Sequence, residues 1–322
     1  MSQWTGNETV DEAVARTLAG EALTREECLA LLDESVDALT EGAAVVRDEL
    51  AGEGVTTRGL GYVTRGICSQ DCGFCAYSAR HDADVEQHGV IEREKLRDAA
   101  KRAERKGAER FNIVSTRRGA DSALRTDEWQ EVLGAIETIR EETDLEVDAC
   151  LGFLEPDEAE RLAGEGVKHY VHMVETSPRY FEEITSTHTF EERRRTLEVA
   201  REAGIDLISG IIVGMGETPV DRVDAARELR DIGIDVFSLN VLSPVAGTPV
   251  AEEVGTTPDI TREGILQTLA VVRFVHPEIR IDTNTARAPI TREEFLEASG
   301  NSIQLGDMIH YGDYPVSERE SA

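Results

Sequence analysis

The sequence predicts a closed (βα)₈ barrel, and three observations predict it. Short apolar or β-branched runs alternate with amphipathic, charge-laced segments about eight times, as a parallel sheet with crossover helices requires. The chain has 322 residues, an ordinary length for one such barrel. A cluster of cysteines follows the first predicted strand, and barrel enzymes carry their chemistry at strand C-terminal ends. An open doubly wound sheet is the alternative that the same alternation allows.

Taken in order, residues 1–55 read as a helical extension. Leu29, Leu32, Val36, Leu39 and Val46 recur on one side, and Thr24 followed by Glu27 reads as a capping box. After Gly54 the pattern changes to strand–helix units. Strands are expected at 61–67, 110–116, 145–152, 169–175, 207–214, 236–242, 278–282 and 302–306. Helices are expected at 93–106, 127–142, 155–164, 189–203, 220–232, 261–274 and 291–299. Many open at Thr, Asp or a Pro-containing turn, and several close at Gly107, Gly204 and Gly233. Residues 56–322 are therefore read as one catalytic barrel, with an unstructured polar tail ending in SERESA.

Composition narrows the function. The 64 acidic and 34 basic residues give a formal charge of −30, and lysine occurs only at 95, 101, 106 and 168. Such a surface repels phosphates and argues against nucleic-acid binding. It resembles the surfaces of proteins from salt-loving microbes, where acidity is a solubility adaptation of solvated faces. No run approaches the ~18–20 apolar residues of a membrane span. The N-terminus lacks the basic-then-apolar order of a signal peptide, so the cytoplasm is the expected compartment. The five cysteines (28, 68, 72, 75, 150) are odd in number, which argues against a disulfide framework.

Cys68, Cys72 and Cys75 stand in a C-x₃-C-x₂-C spacing. Thiolates are soft ligands for iron–sulfur clusters or zinc. Three ligands leave a metal position open, which favours a reactive site over a structural one. Zinc would need a fourth ligand, with His81 or His88 as candidates.

This motif, with an aromatic residue before its last cysteine, resembles the radical S-adenosylmethionine (SAM) superfamily. From about residue 62 to 306 the chain resembles biotin synthase, through 68–80 (CSQDCGFCAYSAR), 149–154 (ACLGFL), 209–218 (SGIIVGMGET) and 240–249 (NVLSPVAGTP). The resemblance implies that Cys68, Cys72 and Cys75 bind a [4Fe–4S] cluster whose fourth iron chelates SAM. It implies adenine contact by Phe74, ribose contact by Glu175 of VETS and carboxylate pairing by Arg193 of THTFEERR. It also implies backbone approach to the nucleoside at Gly210, Gly214 and Gly216. Singly, each could be a core residue, a barrel-mouth ion pair or a solvated helix charge. An electron donor such as ferredoxin or flavodoxin is implied as well.

The resemblance breaks at a second site. Biotin synthases hold a [2Fe–2S] cluster through three cysteines and an arginine. Those positions here are Asn112, Cys150, Ile208 and Arg280, so the cluster is not expected to assemble in its usual form. Cys150 is then either a small buried hydrophobe or a residual ligand, and Cys28 reads as core. The family's Asn-His-Asn run becomes Val171-His172-Met173, which predicts a more apolar pocket suited to an aliphatic chain. His172 and Asn240 are further candidates for the substrate or auxiliary site.

The reading that results is sulfur insertion into an octanoyl chain, as by the split lipoyl synthases of archaea, on a small molecule or a lipoyl carrier protein and with a paralogous radical SAM subunit. Biotin synthesis from dethiobiotin, carbon-skeleton chemistry like that of methylornithine synthase or the hydrogenase maturases, and a non-catalytic iron–sulfur protein are the alternatives.

Overall fold

The computed structural model describes residues 4–52, 54–66, 68–119, 127–255, 257–285 and 288–309. The SERESA tail lies outside the described residues. The expected barrel is observed. Eight parallel strands close in sequence order: β1 (Thr56–Thr64), β2 (Arg110–Ser115), β3 (Glu146–Cys150), β4 (His169–Val171), β5 (Asp206–Val213), β6 (Val236–Val241), β7 (Arg280–Thr283) and β8 (Ser302–Asp307).

Three helices precede it: α1 (Glu8–Leu18), α2 (Arg25–Ala30) and α3 (Val36–Val46). Nine follow among the described residues: α4 (Arg93–Arg105), α5 (Asp127–Glu142), α6 (Pro156–Gly164), α7 (Pro178–Ile184), α8 (Phe190–Glu202), α9 (Pro219–Ile232), α10 (Pro249–Val254), α11 (Arg262–Val275) and α12 (Arg292–Glu297). Local chemistry sets their starts. Capping boxes at Thr24/Glu27, Thr189/Glu192, Thr218/Asp221 and Thr291/Glu294 satisfy N-terminal amides. Proline occupies the first turn of α6, α7, α9 and α10.

The leading helices lie on α9 and α11. Arg25 pairs with Asp224, Arg227 donates to the Leu23 carbonyl, and Gln267 donates to that of Leu32. A Cβ at Gly42 would come within 2.6 Å of Val10, so glycine lets α3 and α1 approach. Cys28 is fully buried in this core.

Three local differences from expectation have physical causes. β1 starts at Thr56 rather than 61, because its first turns are the polar Thr-Thr-Arg and do not read as an apolar run. β4 stops at Val171 rather than 175, because the chain leaves the sheet and returns only through a single bridge from Glu175 to Ile211. The short helices α7 and α10 are too brief to show a helical period.

Candidate active site

The cysteine motif is a loop pinned by its own backbone. Cys68 N–H donates to the Tyr77 carbonyl, Ala79 N–H to that of Cys68, and Cys75 N–H to that of Cys72. Ser78 Oγ donates to the Gln70 carbonyl at 2.5 Å, and Arg80 Nε to that of Ser69 at 3.0 Å. Gly73 is clamped between elements, donating to Ile184 and accepting from Val250.

Asp71 fastens this loop to the one after α7. Its carboxylate accepts from Thr185 Oγ1 (2.7 Å), Ser186 N (3.0 Å) and Oγ (2.5 Å), and Thr187 N (3.1 Å) and Oγ1 (2.8 Å). Burial opposes ionisation here, yet the bonds from Ser186, Thr185 and Thr187 outweigh it and hold the carboxyl well below its usual range. Asp71→Ala is expected to lower thermal stability by freeing the cysteine loop from the segment after α7, with Asp71→Asn intermediate, checked by thermal unfolding.

The same segment carries Arg193, near the start of α8, which is the hub of the site. Its Nη1 donates to the Met173 carbonyl (2.6 Å) and to Glu175 Oε1 (3.0 Å), and its Nε donates to His188 Nε2 (3.0 Å). Its Nη2 lies 3.9 Å from Cys72 Sγ. Burial pushes the Glu175 carboxyl up and Arg193 opposes it. Glu175 sits at φ 71°, a left-handed backbone that a glutamate adopts only when its surroundings hold it.

His188 lies edge-on to Phe153 and Phe181 and contacts Gln70 Oε1 at 3.0 Å through Nδ1. Because Nε2 accepts from Arg193, the ring proton belongs on Nδ1 and the imidazole is neutral. Burial, then Arg193, push it down to about 3. Burial likewise pushes His276, at the end of α11, down to about 3. Both folded values lie below the ~6.5 of an unfolded histidine. The unfolded chain therefore binds more protons in that window, and stability falls as pH drops from about 6.5 toward 3. His276→Gln, remote from the cysteines, is expected to flatten this acid slope by close to one proton, checked by denaturant unfolding at pH 7.5 and 5.5.

The three thiols are free. Burial raises Cys72, and pushes Cys75 up to about 12, so ligation must displace protons. Among the described residues no three His, Cys, Asp or Glu side chains converge tightly enough for a single ion. His81 Nδ1 contacts the Cys75 carbonyl (2.9 Å) and His88 Nδ1 that of Gly89 (2.8 Å), so neither is presented as a fourth ligand to zinc through that nitrogen.

Beside the loop, Phe74, Tyr180 and Ile212 pack on buried Ile184, Met215, Leu242 and Val250, forming an apolar shelf at the barrel mouth. Asn240, half-buried on β6, is in register with Ile212. The glycine-rich turn is explained mainly by itself. Buried Glu217 accepts from Gly214 N–H (3.0 Å) and Met215 N–H (2.8 Å) and pairs with Arg222 (2.8 Å). Gly214 and Gly216 have φ of 91° and 106°, and a Cβ at Gly210 would fall 1.8 Å from the Ser238 carbonyl. The Gly214 amide is thus already engaged.

Inside the barrel, Cys150 packs against the cluster that contains Ile208. Asn112 is buried on β2, Cys150 ends β3, and Ile208 packs with Val171 and Val236. Arg280 is the correction: its Nη1 is bound at the opposite end of the barrel by the carbonyls of Gly54 (2.9 Å) and Asn301 (3.2 Å). Arg58 of β1 is buried and paired with Asp282 of β7 at 2.7 Å, and Arg110 of β2, opposite it in register, lies 3.8 Å from buried Asp148. Gln304 of β8 donates to both Asp282 and Ser238, at 3.0 Å each. The barrel interior thus carries polar side chains from β1, β6, β7 and β8 as well as the apolar Val171–Ile208–Val236 cluster. His172 is buried against Phe153, its Nε2 unpartnered, and burial then Arg193 hold it well below its usual pKa.

Sequence reasoning missed Asp71, His188 and Arg58. The first two lie in segments already singled out, and capping-type Asp and Thr clusters were the available signal.

The Radical SAM superfamily profile matches residues 62–229, and the biotin and thiamin synthesis associated domain matches 238–320. The chain is 46% identical over 309 residues to a biotin synthase of Natronomonas pharaonis, covering 95% of this chain and 83% of that one. It is 34% identical over 314 residues to a biotin synthase of Bacillus subtilis, covering 96% and 90%. Among solved structures it is similar to methylornithine synthase, with TM-score 0.77, 19% identity and coverage of 91% and 85%. It is also similar to the FeFe-hydrogenase maturase of Carboxydothermus hydrogenoformans, with TM-score 0.75, 21% identity and coverage of 92% and 70%. At such identities these two show the fold alone.

Proposed function

Because the chain belongs to the radical SAM superfamily and within it to the biotin synthase family, we propose that Cys68, Cys72 and Cys75 hold its [4Fe–4S] cluster and that the enzyme activates a C–H bond of a small substrate. The observation that carries this is the buried Glu175–Arg193 pair, whose Nη2 donates to Cys72 Sγ at 3.9 Å. When bound, the cluster and SAM supply a 5′-deoxyadenosyl radical that abstracts hydrogen.

The chain's own residues bind, orient and exclude water. Arg193 Nη2, bonded only to Cys72 Sγ, is the guanidinium nitrogen that meets the methionyl carboxylate as a charged donor. Glu175 Oε1 is held by Arg193, which leaves Oε2 for a ribose hydroxyl. Phe74 and its apolar neighbours offer adenine a face. His188, kept neutral, orients Arg193 without repelling it.

For the reaction itself we propose sulfur insertion of the biotin synthase type, with dethiobiotin as substrate, on the strength of 46% identity over 95% of the chain. We further propose that the family's [2Fe–2S] cluster is not housed in its usual form, since only Cys150 of its thiol positions is a thiol and Arg280 is bound elsewhere. The sulfur then comes from another source.

A second reading, insertion into a carrier-borne octanoyl chain with a paralogous subunit, is favoured by the apolar Val171–Ile208–Val236 wall. An anaerobic assay of dethiobiotin and of an octanoyl-lysyl peptide, with a ferredoxin or flavodoxin as reductant, separates them. Sulfur-bearing product from dethiobiotin supports the first reading, and thiolated octanoyl product alone would replace it with the second.

A further inference from the structure

A cavity of about 530 Å³ lies between the end of α1, the segment after α3 and the C-terminal ends of α9 and α11. Ile234 and Ile279, which line it, come just before β6 and β7, so it sits at the N-terminal face of the barrel, opposite the cysteine loop. Its volume is that of a small-molecule site. Leu18, Leu50, Ile234, Phe274 and Ile279 give it an apolar floor continuous with the main core.

Three kinds of polar group face this floor. Arg230, in the last turn of α9, lines the cavity half-buried. Among the described residues it is the one buried or half-buried arginine with neither a hydrogen bond nor an ion pair, although the chain has 64 acidic residues. Arg227, three residues earlier, is held by the Leu23 carbonyl at 2.9 Å, and Arg201 by Asp235 at 3.0 Å. His276, 5% exposed, lines the cavity within electrostatic reach of Arg230. Its Nε2 donates to the Ala226 carbonyl at 2.8 Å, which leaves Nδ1 as the acceptor of a neutral ring, without a partner in the protein. Exposed Glu278, which has no ion pair, and Glu21, which also serves Arg16 at 3.1 Å, complete the rim.

This charge pattern selects among ligands. A simple anion would meet Glu278 and Glu21 as well as Arg230, and a simple cation would meet Arg230. A zwitterion answers both signs. Its carboxylate pairs with the Arg230 guanidinium, its ammonium donates to His276 Nδ1 and Glu278, and its apolar part covers the floor.

We propose that this cavity is a binding site for a free α-amino acid with an apolar side chain, held through Arg230, His276 and Glu278. The site is separate from the radical-generating one and does not depend on which reaction that one performs. An occupant would tie α1 and the segment after α3 to the ends of α9 and α11, which line the same cavity.

The test is equilibrium binding of three probes to the full chain: L-leucine, 4-methylpentanoate (leucine without its ammonium) and 3-methylbutylamine (leucine without its carboxylate). Wild type is expected to bind leucine at least about tenfold more tightly than either of the others, the effect of one charge-assisted contact. Arg230→Gln, which strands no partner in the protein, is expected to weaken leucine binding at least about tenfold. Glu278→Lys, at an exposed position, is expected to reverse the preference in favour of 4-methylpentanoate, and it decides the matter if the first variant does not fold. No leucine binding by wild type up to about 10 mM would overturn the proposal. So would equal binding of 4-methylpentanoate by wild type, or leucine affinity that neither variant changes.

Discussion

Cys72→Ser is expected to abolish 5′-deoxyadenosine formation and to leave the purified protein without its brown iron–sulfur absorbance. A serine hydroxyl is a hard, weakly acidic donor that replaces a thiolate poorly at iron. The loss should exceed the roughly 10–100-fold that removing an outer hydrogen-bond partner costs a metal site. Cys72 is the most diagnostic of the three cysteines because its sulfur faces Arg193. Cys150→Ala, by contrast, should leave the absorbance and iron content of the protein near those of wild type. A large loss of iron in Cys150→Ala would show that the interior does hold a cluster.

The second large effect is at Arg193. Arg193→Gln strands the buried Glu175 carboxylate and removes the donor aimed at the cysteines, a change that costs about 3–5 kcal/mol when one partner of a buried pair is lost. SAM affinity is expected to fall at least about 100-fold, checked by equilibrium binding to the reconstituted protein. Arg193→Lys should rescue little, since an ammonium cannot serve His188, Glu175 and Met173 at once. The double variant Arg193→Gln, Glu175→Gln should regain thermal stability but not SAM binding, which separates a structural role from a binding one.

Much of this was legible in the sequence. The alternation of periods defined the barrel, and the cysteine spacing located its mouth, because both patterns are local along the chain. Glu175 and Arg193, eighteen positions apart, were named through resemblance, and the fold brings them to 3.0 Å. The interior was not legible. Arg58, Asp282, Gln304 and Ser238 come from four strands spread over most of the chain, and each alone reads as an interruption of an apolar run. Arg280 misled for the same reason: its type fitted, but only the closed barrel shows that backbone carbonyls at the far end hold it. Asp71 was hidden inside the motif, between two cysteines that drew the attention. The resemblance implies a backbone approach to the nucleoside by the glycines of 209–218, whereas buried Glu217, which occupies the amide of Gly214, is visible only in three dimensions.

The most direct test of the central claim, that the three cysteines and the Glu175–Arg193 pair form a radical-generating site, is 5′-deoxyadenosine release by anaerobically reconstituted wild-type protein given SAM and a low-potential reductant. The account predicts release in proportion to cluster content, with one [4Fe–4S] per chain. A fully loaded, reduced protein that binds SAM and releases no 5′-deoxyadenosine would contradict it.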